Sequence, residues 1–208
     1  MMLKLTSCSL VALVTLFAPA GASAQQSGST IATPRIFEAI GVKAGSTVCE
    51  MGAGDGELSL AAAKLVGPAG RVYTSELGDE RVKTLRDRVA AGGLAQVTVV
   101  AGDPLKTNFP DAACDALFMR NVYHHFQDPA QVSASISAAL KPGARLGVVD
   151  FAPGSGKEAE RPADRSKDGT HGISADSVSR ELREAGFEPV SSELGERRWF
   201  MVVVARPR

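Results

Sequence analysis

Three carboxylates, each closing an apolar run, are the first residues in this sequence that could do chemistry. Glu50 lies in Thr47-Val-Cys-Glu-Met51, which leads directly into Gly52-Ala-Gly54-Asp-Gly56. Glu76 ends Val72-Tyr-Thr-Ser-Glu76, and Asp103 follows Val100-Ala-Gly. Glycines at alternating places permit positive φ and let a ligand touch backbone where a Cβ would collide. A dinucleotide-binding turn would need its third glycine one place later, where Glu57 stands, and would seat a pyrophosphate on the helix N-terminus. Here Glu50, Asp55 and Glu57 make the rim acidic. An acidic rim repels phosphate and suits a ligand bearing an ammonium and a sulfonium.

On these residues the chain resembles the class I, S-adenosylmethionine-dependent methyltransferases, whose first motif is an acid followed by three alternating glycines. The turn therefore favours S-adenosylmethionine over NAD as cofactor, with Glu50, Gly52 and Gly54 in contact with it. Glu76, about twenty residues past the glycines, stands where an acid commonly accepts the ribose hydroxyls. The resemblance further implies that Asp103 receives the adenine amino group. Asp115-Ala-Leu-Phe-Met119 followed by Arg120-Asn-Val-Tyr-His-His-Phe-Gln-Asp-Pro129 is similar to the fourth motif of small-molecule methyltransferases. Its Arg-Asn-Val piece is similar to the quinone-biosynthesis branch. That likeness places Arg120 beside the donor, and Tyr123 and His125 on the acceptor side. The Asn-Pro-Pro-Tyr signature of enzymes that methylate amino groups on bases is absent. The resemblance spans residues 34–205, strongly through the first four motifs and weakly after Asp150. It implies transfer of a methyl group to a small molecule whose identity the sequence does not give.

Methyl transfer needs little covalent help, because holding nucleophile, methyl and sulfur in line supplies much of the acceleration. A base matters only when the nucleophile carries a proton. The chain has three histidines, His124, His125 and His171. His124 and His171 are the candidates for a general base, and His125 is equally readable as a structural histidine bonded to backbone. No metal set is expected: adjacent His124 and His125 rarely reach one ion, and the cysteines lie in strand-like runs. A Gly-x-Ser-x-Gly elbow is also absent.

The elements that must position these residues alternate. A short helix follows Thr33 as cap, with Pro34 at its first position. Strands are predicted over 47–51, 71–76, 97–101, 115–119 and 145–150, and helices over 58–66, 79–91 and from Pro129, with Asp128 as cap. Lys141-Pro142-Gly143 reads as a turn. This order calls for parallel βαβ units with helices on both faces of one sheet. At the end, a helix capped by Ser174 precedes strands over 187–194 and 198–205, whose short link forces them antiparallel. The expected fold is α/β, a Rossmann-like doubly wound sheet of seven strands, mostly parallel with the last antiparallel. Residues 154–170 read as a mobile loop over the strand ends.

The N-terminus has a separate role. Met-Met-Leu-Lys, the apolar run Leu10–Phe17 and Ala22-Ser-Ala24 describe a secretory signal peptide, shorter than the roughly 20 apolar residues of a membrane span. Residues 1–24 are expected to be cleaved, 25–33 to form a flexible lead-in, and 34–208 to form the domain. The alternative is an uncleaved N-terminal anchor; otherwise the protein is exported to the periplasm or secreted. With 23 basic and 23 acidic residues the chain offers no broad positive field, so nucleic acid is not an expected partner. Cys49 and Cys114 are expected as two reduced thiols, too far apart to bridge. Export conflicts with a cytosolic donor, which leaves open a non-catalytic exported module binding a nucleoside or metabolite in the same cleft. Oligomeric state is not legible.

Overall fold

A computed structural model of the 208-residue chain describes residues 31–208. The expected signal segment 1–24 and most of the lead-in lie outside the described residues.

Apolar runs with flanking glycines become seven strands: β1 Thr47–Met51, β2 Arg71–Glu76, β3 Val97–Ala101, β4 Cys114–Arg120, β5 Leu140–Phe151, β6 Glu188–Leu194 and β7 Trp199–Ala205. Among the described residues, five α-helices accompany them: α1 Thr33–Ala39, α2 Glu57–Val66, α3 Asp79–Ala91, α4 Pro129–Ala139 and α5 Ala175–Glu184. Strand order is β3-β2-β1-β4-β5-β7-β6, parallel except for β7, which runs antiparallel to both neighbours. The order reverses between β1 and β4. A crevice opens at such a switch point, beyond the carboxyl ends of the strands.

Alternation along the strands divides the core between two faces. Cys49, Met51, Leu117, Met119, Leu146 and Val148 point to the side of α4 and α5, where they meet Val132, Ile136, Val178 and Leu182. Val48, Ala116, Phe118 and Val149 point the other way, onto Ile36 and Phe37 of α1 and Leu58, Ala62 and Val66 of α2. Helix α3 adds Leu85 and Val89 against Ala53 of the glycine turn. The caps follow the sequence at two helices: Asp128 accepts from the Gln131 amide, and Ser174 from that of Ser177. At α1 the cap is Ala32 rather than Thr33, and it makes no side-chain bond.

Three expectations are corrected. First, Lys141-Pro142-Gly143 does not end the helix in a separate turn. Strand β5 already starts at Leu140, paired with Cys114, and Gly143 takes φ of 77° within it. Second, residues 154–170 are tethered rather than loose. Buried Arg165 pairs with Glu181 of α5, and Glu158 accepts from the Ser174 amide and the Ser177 hydroxyl. Third, Cys49 and Cys114 form a disulfide, with Cα atoms 5.8 Å apart. The sequence suggested a span too wide to bridge, whereas β1 and β4 are immediate neighbours and both sulfurs reach the same packed face.

A bridge across a 65-residue separation restricts the unfolded chain. In the chain-entropy treatment that is worth about 4 kcal/mol. Reduction, or the double replacement Cys49→Ala with Cys114→Ala, is expected to lower the denaturation midpoint; an unchanged midpoint under reductant would contradict the bridge.

Candidate active site

The glycine turn leaves β1 and folds back over the end of β2. Gly52 takes φ of 68°, and an added Cβ there would lie 2.4 Å from Val122, so this side chain, two residues beyond β4, packs on bare backbone. Gly54 takes φ of 57° with open space where its Cβ would be. Its amide donates to Glu76 Oε2 at 2.7 Å, and the Leu77 amide donates to Oε1 at 2.8 Å. The carboxylate at the tip of β2 thus fixes the turn from β1.

These loops surround a cavity of about 980 Å³, whose wall includes Glu50, Gly52, Gly54, Glu76, Asp103, Arg120 and His125. That volume lies at the upper end of the roughly 300–1,000 Å³ of small-molecule sites. All six residues expected to hold the donor therefore border one space. Asp103 sits just beyond β3, its Oδ1 accepting from the Leu105 amide at 2.8 Å. Each carboxylate oxygen has two acceptor positions, so Glu76 and Asp103 can take a ligand's hydroxyl or amino group beside their backbone bonds. The residues present fit an adenosyl ligand.

The rim differs from the open acidic edge expected. Asp55 faces Arg88 at 3.7 Å, Glu57 faces Arg120 at 3.0 Å, and Glu76 has Arg81 at 3.6 Å. Arg81 and Arg88 also line the cavity and were missed in the sequence. Their seven-residue spacing, two turns along one face of α3, is the signal that could have found them. Trp199 is a further wall residue that no motif announced, and Asn121 of the Arg-Asn-Val piece also lines the cavity.

Glu50 is corrected in a related way. It is 2% exposed, and one oxygen takes the Ser59 hydroxyl of α2, which also bonds Thr74. Burial pushes its carboxyl up to about 8, against the opposing pull of Ser59 and Arg120. Burial thus favours the neutral form of this carboxyl, which stands behind the turn at the cavity wall.

The aromatic stretch after β4 splits by burial. Tyr123 is fully buried and donates to Glu181 at 3.2 Å, so it belongs to the core and not to the acceptor side. Burial and the Glu181 charge both raise its phenol, keeping it protonated. His124 is also sealed. Its Nδ1 lies 2.9 Å from Asp150 Oδ1, and its Nε2 lies 3.1 Å from His171 Nε2. Having no exposed surface, His124 meets no acceptor directly. His125 alone of the three borders the cavity, with Nδ1 held 2.8 Å from the Ser166 hydroxyl. His171 is exposed and packs edge-on against His124 and Phe151.

Comparison with known proteins agrees with this geometry. The family described as "Methyltransferase domain" matches residues 49–148. The ubiquinone/menaquinone biosynthesis C-methyltransferase UbiE of Pseudomonas putida is 35% identical over 133 residues, covering 62% of this chain and 50% of that protein. The chain thus spans about half the length of that curated relative. Among solved structures, a SAM-dependent methyltransferase from Aquifex aeolicus superposes with a TM-score of 0.73 at 24% identity, over 85% of this chain and 90% of that one. The [4+2]-cyclase SpnF superposes equally well, with a TM-score of 0.73 at 19% identity, over 84% of this chain and 80% of that one. These likenesses establish the fold; the second shows that it serves more than one reaction.

The state of Glu50 has a measurable consequence. Its carboxyl rises from a reference value of 4.5 to about 8 on folding. The native chain therefore holds an extra proton between those values. The associated stability is complete below about 4.5 and is lost as pH rises through about 8. Glu50→Gln removes this titration, so its denaturant-derived stability is expected to fall less than that of the parent between about pH 5 and pH 9. Identical pH profiles would show that Glu50 is already ionised.

Proposed function

We propose that this chain, which belongs to the class I S-adenosylmethionine-dependent methyltransferase family, transfers a methyl group to a small organic acceptor. The observation that carries this reading is the Glu76 carboxylate bound to the Gly54 and Leu77 amides at the mouth of the switch-point cavity. S-adenosylmethionine supplies an electrophilic methyl group on a sulfonium. The chain's own part is to hold and orient. Glu76 presents acceptor oxygens to the ribose hydroxyls, Asp103 to the adenine amino group, and Gly52 and Gly54 open the backbone to close contact. Arg120, tied to Glu57, closes the floor at the end of β4. Acceleration then comes mainly from alignment in a confined space.

Where the acceptor carries a proton, the histidine cluster is the group that would take it. His124 is withdrawn from direct contact by its burial, so a base role from that cluster falls to His171 or His125. The relative named as a quinone-biosynthesis C-methyltransferase supports an acceptor methylated at carbon.

Export is part of the same proposal. The signal-like residues 1–24 support it, as does a disulfide of the kind that persists in oxidising compartments. Activity there requires donor at or above its dissociation constant.

In thermal-shift titrations, S-adenosylmethionine and S-adenosylhomocysteine are expected to raise the melting temperature and NAD to leave it unchanged; stabilisation by NAD alone would overturn the reading. Glu76→Ala removes a charged acceptor, a loss of about 1.5–3 kcal/mol. Donor affinity should fall roughly 10- to 100-fold by calorimetry. Binding without turnover across phenol, quinol and amine acceptors would leave a ligand-binding module in place of an enzyme.

A further inference from the structure

We propose that His124, His125 and His171 form a binding site for a borderline divalent cation of the zinc or nickel class, at the acceptor edge of the cavity. The chain has three histidines, and the structure brings all three together, with one ligand atom from each within 4.8 Å of the others. Their sequence separation, two adjacent residues and a third 46 or 47 positions away, gives no chain-local reason for this.

The most buried ring is already oriented as a ligand. Asp150 is fully buried and accepts from the His124 amide at 3.2 Å and the Phe151 amide at 2.9 Å. A carboxylate so held is an acceptor, so His124 carries its proton on Nδ1 and turns a lone pair outward on Nε2. Carboxylates orient metal-ligating histidines by this same bond. The next atom met by that lone pair is His171 Nε2, at 3.1 Å. Two nitrogens at the roughly 2.0–2.1 Å of zinc–imidazole bonds sit about 2.9–3.4 Å apart for angles between square and tetrahedral. The pair is thus spaced for one ion.

The third ring is adjustable. The 3-10 turn over Tyr123–His125 brings consecutive imidazoles together, with centroids 3.9 Å apart. Ser166 holds His125 Nδ1, which leaves Nε2 for coordination. His171 is held in place from behind. Gly172 takes φ of 120°, and a Cβ there would lie 2.6 Å from the Phe151 carbonyl, so the loop is pressed against the end of β5. Three imidazoles select zinc, copper or nickel over magnesium or calcium, which prefer oxygen. His125 also lines the donor cavity, so an ion here borders the space an acceptor must enter.

This site goes beyond the methyl-transfer reading and does not depend on it. The two roles of His171 exclude one another at any instant, since a metal-bound nitrogen has no lone pair left for a proton.

The test is calorimetry and equilibrium dialysis of the untagged full chain with zinc chloride, with magnesium chloride in parallel. Cobalt(II) absorption provides an independent view of the coordination. About one zinc per chain is expected, with no magnesium. His171→Ala should weaken zinc at least 100-fold. Asp150→Asn, which keeps volume while loosening His124, should weaken it roughly 10- to 100-fold. Absence of stoichiometric zinc, or equal affinity in His171→Ala, would overturn the site. A separate S-adenosylhomocysteine titration of the same samples reads the donor cavity, so failure of either reading is seen apart from the other.

Discussion

The carboxylate of Glu76 is the interaction on which the rest of the molecule's functional end depends. It stands at the tip of β2 and accepts the amides of Gly54 and Leu77, so one side chain joins the turn leaving β1 to the turn leaving β2. A turn at positive φ has few bonds of its own, because its amides point outward instead of along a ladder. Glu76 supplies those bonds while keeping further lone pairs free toward the cavity. Structural and recognition roles therefore meet in one residue.

Around that joint the charges are balanced rather than massed. Arginines from α3 and β4 answer three of the acids that line the cavity, and burial raises the Glu50 carboxyl. A ligand carrying both a carboxylate and cationic groups meets both signs on one wall, which a uniformly acidic rim would not provide. Beneath it, the disulfide between β1 and β4 closes the sheet at the strand pair where the order reverses. The switch point is thus tied covalently below and by hydrogen bonds above.

The histidine cluster belongs to a different part of the architecture. His124 and His125 come from the turn after β4, His171 from the far side of a tethered loop, and Asp150 from β5. Arg165 and Glu158 hold that loop onto α5, which gives the cluster a fixed third member. The cluster lies beside the cavity wall, where His125 borders the space the glycine turn also lines.

The sequence by itself determined the seven strands and their alternation with helices, the antiparallel last strand, the glycine turn and the three acids at successive strand ends. Those features are local: hydrophobic period, glycine spacing and chain-length limits on connections act within a few residues of one another. It did not determine which side chains meet across elements. The bond between Cys49 and Cys114, the core position of Tyr123, the buried Glu50 beneath α2 and the arginines facing the rim each depend on strand adjacency or helix rotation. So does the convergence of three histidines, two from one turn and one from a loop 46 residues on. Such contacts are set by packing across the sheet, where burial and dielectric are properties of the assembled neighbours and have no counterpart along the chain.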